Sequence, residues 1–95
     1  MSLNQDERIL ETIDQQEMVG VCGRNEEFLR IIRDAFNCKI VARGNQVVIS
    51  GDVDEVAKLR ELFLELLFLY RQGLPLTAHD VRYSIYMVKA GKTES

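Results

Sequence analysis

The chain has 95 residues, of which 46% are apolar and 28% are charged, a composition typical of one small globular domain. Its formal net charge of −3 removes the strong electrostatic attraction of most tight nucleic-acid binders and leaves only a local basic face for such a partner. The most apolar stretch, from Leu62 to Tyr70, contains Glu65 and falls short of the roughly 20 apolar residues that span a bilayer, so we expect no membrane partner.

The first half of the chain is predicted to contain a strand and two helices around a glycine turn. Residues 7–13 suit a strand or a helix by periodicity, and we favour a strand. A two-turn helix over residues 15–21 stops before Gly23. Asn25 is then placed to cap the next helix, where Glu26 and Glu27 suit the positive end of the helix dipole.

A β-hairpin is predicted next. Cys38 to Arg43 alternates as a strand does, with Ile40 and Ala42 on one side and Lys39, Val41 and Arg43 on the other. Gly44-Asn45 supplies a two-residue turn, after which residues 46–50 return as a second strand.

Two helices complete the predicted order. Asp52 and Glu55 have the spacing of a capping box before a long helix that runs to about Gln72 and ends at Gly73. A weaker Thr-x-x-Asp cap at residues 77–80 begins the last helix. These elements predict an α+β domain with helices on one face of a small antiparallel sheet.

The order strand-helix-helix-strand-strand-helix is that of a type I KH domain, and Gly23 to Glu26 stands where that family carries its Gly-x-x-Gly loop. More specifically, the sequence resembles the N-terminal domain of PhoH-like proteins, a P-loop ATPase family. The residues that carry this resemblance are Cys22-Gly23-Arg24-Asn25-Glu26-Glu27-Phe28-Leu29, Lys39-Ile40-Val41-Ala42-Arg43-Gly44-Asn45, Val48-Ile49-Ser50-Gly51 and Asp80-Val81-Arg82-Tyr83.

The resemblance implies a division of the chain into a KH-like domain over residues 7–73 and a C-terminal helix over residues 76–90. That helix would lead toward an ATPase domain associated with RNA metabolism, which we expect to be absent from this chain. ATP and Mg are therefore expected only for the ATPase domain, and no cofactor for this one. Residues 90–93 end like a P-loop, but Tyr86 replaces its first Gly. We expect flexible ends over residues 1–6 and 91–95.

A nucleic-acid site is implied where the Gly-x-x-Gly loop of KH domains approaches the phosphate backbone. Its candidate residues are Gly23, Arg24, Asn25, Lys39, Arg43 and Asn45. Arg24, Lys39 and Arg43 would contact phosphates. Glu26 replaces the second Gly, and its carboxylate would repel phosphate while favouring the helix start. A tight turn without a ligand therefore stays open as the alternative.

The long helix carries a second candidate surface. Leu62, Leu64 and Phe68 add apolar bulk beside its core-facing stripe. Either the last helix covers this surplus, or the surplus contacts the absent ATPase domain or a second copy of the chain. The sequence thus supports two functions: an accessory domain with weak RNA contact, or a protein-interaction, docking or oligomerisation domain that binds no nucleic acid.

Catalytic and metal-binding residue types show no arrangement that suits either role. Cys22 and Cys38 occur without a secretory signal, which favours reduced thiols in a cytoplasmic protein. With the single His79 they are too few for a structural zinc site. Asp52 and its acidic neighbours lack calcium-loop spacing. We therefore expect neither a metal nor an enzymatic activity in this chain.

Overall fold

A computed structural model of the protein describes residues 5–91. A 3-10 turn, Arg24–Glu26, joins the first two helices. The strands and helices are β1 (Gln5–Glu11), α1 (Gln15–Cys22), α2 (Glu27–Ala35), β2 (Cys38–Arg43), β3 (Gln46–Asp52), α3 (Val53–Arg71) and α4 (Ala78–Lys89). The predicted order of elements is confirmed, including a strand as the first element.

The three strands form one antiparallel sheet with the order β1-β3-β2, so β3 is central and the other two are edge strands. The hairpin between β2 and β3 turns at Gly44, whose φ is +61°.

Strand β1 lies two residues earlier than predicted. It ends before Thr12, whose N–H donates to the carbonyl of Asn45, and Asp14 then caps α1 by accepting from the N–H of Glu17 at 2.9 Å.

One hydrophobic core lies between the sheet and the helices. Its fully buried residues include Ile49 of β3, Ile32 of α2 and Leu59 of α3. Val81 of α4 is equally buried in the same core. The last helix is thus packed onto the domain, and the predicted α+β class with a KH-like arrangement and an added C-terminal helix is confirmed.

The caps of the last two helices test the local predictions. Asp52 caps α3 by accepting from the N–H of Asp54 at 3.1 Å. The predicted capping box is wrong, because Glu55 accepts from the N–H of Asn37 at 3.4 Å and does not return to its own helix start. The Thr-x-x-Asp box at α4 forms both reciprocal bonds.

Helix α1 is held against α3 by contacts at the end of α3. Glu17 is buried and accepts two hydrogen bonds from Arg71, at 2.6 and 2.9 Å, and one from the N–H of Ile13 at 2.8 Å. The bond from Arg71 holds the pKa of Glu17 below its usual value against the smaller, opposing effect of burial. One turn later, Gly20 lies against the ring of Tyr70, where a Cβ atom would approach a ring carbon to 2.2 Å.

The predicted flexible ends fall mostly on residues 1–4 and 92–95, which lie outside the described residues, as does the end of the P-loop-like segment. Gln5 and Asp6 belong to β1, so the predicted N-terminal end was drawn too long. Across residues 5–91, every helix is too short or too polar to cross a membrane.

Candidate nucleic-acid interface

The turn between α1 and α2 depends on a glycine at its first position. Gly23 is buried and adopts φ +85° and ψ 164°. A Cβ atom there would lie 2.8 Å from the backbone nitrogen of Phe28. Because this neighbour is a backbone atom, no side-chain movement can relieve the clash. The chain therefore reverses tightly from α1 into α2 only with glycine at this position.

The last two positions of the turn are left-handed. Asn25 has φ +53° and Glu26 has φ +59°, and the N–H of Glu26 donates to the carbonyl of Gly23 at 3.2 Å. The prediction that Asn25 caps α2 is wrong, because this residue belongs to the turn before the helix. A left-handed conformation costs a residue with a Cβ atom about 1–2 kcal/mol, and Asn tolerates it better than Glu. Glu26 thus occupies the backbone conformation that the second Gly of a Gly-x-x-Gly loop would favour.

Arg33 links this turn to the edge strand β2. Its guanidinium donates to the carbonyl of Ile40 at 2.9 and 3.2 Å, and it contacts the carboxylate of Glu26 at 3.4 Å. The neighbouring Arg30 donates to the carbonyl of Asn25 at 2.6 Å. The sequence did not predict these contacts. No spacing in the sequence signals these contacts, because they depend on how α2 lies against the turn and β2.

The other predicted cations lie on a different face of the molecule. In β2, Ile40 pairs with the buried Ile49 of β3 and faces the core. Because side chains alternate along a strand, Lys39 and Arg43 lie on the opposite, open face of the sheet. Arg24 is exposed in the turn, within the helical layer. The structure therefore divides the predicted phosphate contacts between two faces.

Asn45 has local partners in the hairpin. Its side-chain amide donates to the carbonyl of Thr12 at 3.0 Å, and its carbonyl accepts from the N–H and the hydroxyl of Thr12. These bonds fasten the β2–β3 turn to the end of β1. The Asn45 side chain, which we predicted as a nucleic-acid contact, is therefore bonded within the fold.

A shallow open depression borders the turn, and its lining includes no residue of β2. Its volume is about 450 Å³. Gly23, Arg24, Glu27 and Tyr70 line it, together with the connection between α3 and α4. The turn therefore presents two sides, one crossed by Arg33 and one bordered by Arg24.

The predicted apolar surface on α3 is smaller than the sequence indicated. Leu62 is 0% exposed, because its position on the helix faces the core, so it is removed from this surface. Leu64 and Phe68 point outward and are 42% and 58% exposed. Helix α4 leaves these two residues uncovered.

The two cysteines are free and have raised pKa values. Burial raises the pKa of the Cys22 thiol to about 11 and also raises the pKa of Cys38, which is half-buried. Both are therefore neutral at physiological pH and are poor nucleophiles. Within residues 5–91, no group of three or more His, Cys, Asp or Glu side chains could hold a metal ion.

Comparison with known proteins gives a consistent partial match. The PhoH-like protein of Bacillus subtilis strain 168 is 31% identical over 78 residues, which are 82% of this chain and 24% of that relative. The PhoH-like protein of Mycobacterium leprae strain TN is 32% identical over 78 residues, which are 22% of that relative. The chain thus spans about a quarter of the length of the curated relatives it matches. The resemblance to PhoH-like proteins predicted from the sequence is confirmed. No protein-family model matches the chain.

A solved structure shares the fold. The 1.5 Å crystal structure of a protein of unknown function from Aeropyrum pernix superposes with a TM-score of 0.70 and 13% identity. The match covers 96% of this chain and 50% of that one. At this identity the likeness concerns the arrangement of helices and strands alone.

Proposed function

We infer that the chain is a KH-like domain of a larger PhoH-like protein, and we propose that it makes a weak contact to RNA. In this proposal the domain positions single-stranded RNA for the ATP-binding module of the parent protein, in the cytoplasm. The similarity to PhoH-like proteins over 82% of the chain supports the first part. The geometry of the Gly23–Glu26 turn supports the second part.

The observation that carries the RNA contact is the exposed turn with a glycine-dependent backbone. Gly23 is buried and lets the chain turn tightly, and the three residues that follow it, Arg24, Asn25 and Glu26, are exposed at the surface. Arg24 extends beside it, and Arg33 lies between it and the edge of β2. Arginine side chains and backbone N–H groups are the usual partners of nucleic-acid phosphates.

The charges around the turn favour low affinity. Arg24, Arg30 and Arg33 belong to the turn and α2, and the same segment contains three acidic residues. These are Glu26, Glu27 and Asp34. A phosphate that approaches Arg33 must also compete with the carboxylate of Glu26, 3.4 Å away. We therefore expect binding that is detectable at low salt and weakens steeply as the salt concentration rises.

The enzymatic step would belong to the parent protein. The cysteine thiols are neutral, and the described residues contain no metal-ligating cluster. We propose that ATP and Mg bind to the ATPase module of the parent and that this domain contributes position and affinity.

The proposal is tested by fluorescence anisotropy of a labelled single-stranded RNA titrated with the chain at low and moderate salt. We expect saturable binding that weakens with salt and with Arg24→Ala. Arg60→Ala on α3 is the matched control, because it removes the same charge from an exposed position away from the turn. Absence of binding at low salt, or an equal loss in the control, would overturn the RNA contact.

A further variant separates the two faces that carry the predicted cations. If Arg43→Ala weakens binding and Arg24→Ala does not, RNA contacts the open face of the sheet and the assignment to the turn is wrong. If only Arg24→Ala weakens binding, the contact lies in the helical layer as proposed.

A second function, docking without nucleic-acid binding, is favoured by the exposed pair Leu64 and Phe68. In this case the rest of the parent protein would cover the outer face of α3. Binding of the separately purified remainder of a PhoH-like protein would then tolerate salt and be lost with Leu64→Glu or Phe68→Glu. Retention of binding in both variants would exclude this surface.

A further inference from the structure

The face of the sheet opposite the helices carries an ordered pattern of side chains. The register across β1, β3 and β2 places them in three rows, which are Glu7-Ser50-Lys39, Ile9-Val48-Val41 and Glu11-Gln46-Arg43. The middle row is apolar, and Ile9 is 55% exposed. Both outer rows run from a carboxylate on β1 to a cation on β2.

The charges on this face are not paired with one another, because none of the ion pairs within residues 5–91 joins β1 to β2. Neighbouring strands are about 4.8 Å apart, so the β1 and β2 side chains of one row are separated by roughly 10 Å. Glu11 accepts a hydrogen bond at 3.1 Å from Gln46 on the neighbouring strand β3. One copy therefore presents an acidic edge along β1 and a basic edge along β2, and the apolar row crosses the sheet from one edge to the other.

We propose that the open sheet face binds a second copy of the chain, sheet on sheet, about a two-fold axis parallel to β3. Rotation about this axis exchanges the two edges and keeps each row at its own level. Glu7 then faces Lys39 of the second copy, and Glu11 faces Arg43 of the second copy. The two-fold axis repeats each pair, as an isologous interface requires.

The same rotation also matches the apolar residues. Val48 lies on the central strand and meets Val48 of the second copy near the axis, while Ile9 covers Val41 of the second copy. Stacked sheets lie about 10 Å apart with their strands within about 30° of each other. Lys, Arg and Glu side chains are long enough for each carboxylate to reach the cation of the same row in the second copy when the strands of the two sheets cross at this angle.

The charge pattern selects this axis and this partner. A two-fold axis across the strands would place Glu7 opposite Glu11 and Lys39 opposite Arg43, so like charges would repel. A nucleic acid on the same face would meet the carboxylates of β1 along one whole edge. A second copy is complementary to both edges at once.

The test is sedimentation velocity of the chain over a concentration series up to the millimolar range at low salt. We expect a reversible dimer that dissociates as the salt concentration rises, because its pairs lie close to solvent. Lys39→Glu with Arg43→Glu makes all four charged positions acidic, and Glu7→Lys with Glu11→Lys makes them all basic. Each double variant should weaken self-association at least tenfold.

Mixing the two double variants provides the decisive measurement. An all-acidic face and an all-basic face are complementary, so the mixture should form a heterodimer although neither variant dimerises alone. Lys58→Glu with Arg60→Glu on α3 is the matched control, since it makes the same change of charge as the acidic variant on the helical side of the molecule and leaves the open sheet face unchanged. Thermal unfolding followed by circular dichroism checks that every variant is folded.

Several results would overturn the proposal. These are a monomer at every concentration, a dimer that persists in both double variants, and a mixture that fails to associate. If a dimer instead disappears with Phe68→Glu, the outer face of α3 is the interface. The assay contains no nucleic acid, so its result is independent of whether the turn binds RNA.

Discussion

The two ends of helix α1 each lead to an acidic side chain that pairs with an arginine, in opposite surroundings. At the first end, Glu17 is buried and bonded to Arg71 and to the backbone of Ile13. Beyond the second end, Glu26 is half-exposed on a left-handed backbone and meets Arg33 at 3.4 Å. The first pair joins α1 to α3, and the second lies beside the candidate binding surface.

The difference shows how a small domain separates stability from binding. A buried carboxylate that loses its partners is strongly destabilising, whereas an exposed ion pair contributes about 0–1 kcal/mol. The Glu26 pair is therefore easily exchanged for another contact. Backbone strain is tolerated at this end because the buried end and the core hold the helix in place.

The largest effect is expected at the glycine that joins the two helices. Gly23→Ala places a Cβ atom against the backbone nitrogen of Phe28 in a conformation that favours glycine, so we expect a loss of about 3 kcal/mol or more in the free energy of unfolding. Urea denaturation measures it. Gly44→Ala is the control, because its φ is also positive but its Cβ atom meets open space, and it should cost only about 1 kcal/mol. Equal losses in both variants would contradict the close approach.

The buried end of α1 should give the next largest effect. Glu17→Ala removes the acceptor of Arg71 and of the Ile13 N–H, and we expect a loss of about 2–3 kcal/mol in unfolding free energy. The lower end of the range for buried pairs applies because Arg71 is 46% exposed and can be hydrated after the substitution. Glu27→Ala, at an exposed position of α2, is the comparison and should change stability by less than about 0.5 kcal/mol. A near-neutral Glu17→Ala would show that the pair does not hold α1.

The same pair predicts a pH dependence of stability. The pKa of Glu17 is lower in the folded protein than its ordinary value of 4.5. Between those two pKa values the unfolded chain binds more protons, so this stabilisation is present above pH 4.5 and is lost as the pH falls through the folded value. Thermal unfolding from pH 7 to pH 3 should show a steeper decline for the natural chain than for Glu17→Gln. Parallel curves for the two proteins would contradict this role.

The smallest expected effect is a gain at the exposed end. Glu26→Gly removes the cost of a left-handed conformation in a residue with a Cβ atom. Loss of the Arg33 contact and the greater freedom of glycine in the unfolded chain oppose this gain. We therefore expect a net gain of up to about 1 kcal/mol in the free energy of unfolding. It also removes a carboxylate beside Arg33, so RNA affinity at low salt should rise about threefold. Glu27→Gly is the matched control, because φ at Glu27 is −62° and glycine there should destabilise α2 by about 1 kcal/mol. Destabilisation by both substitutions would show that position 26 carries no strain.

The candidate site could be predicted from the sequence only in part. The position of the turn was predicted because Gly23 and the start of α2 are local signals. The left-handed conformations at Asn25 and Glu26 were missed, since an Asn before two glutamates also fits an ordinary helix cap. The bond from Arg33 to the carbonyl of Ile40 depends on how α2 lies against β2, which no spacing within α2 determines.

The sequence by itself determined the order of the elements, the hairpin at Gly44 and the cap of α4, because periodicity, turn chemistry and capping act over a few neighbouring residues. Tertiary structure decided which charged side chains meet. It joined Glu17 to Arg71 across 54 positions and placed Arg24 and Arg43 on different faces. Local patterns specify which face of an element is apolar, but only the packing of distant elements around one core brings particular polar groups within bonding distance.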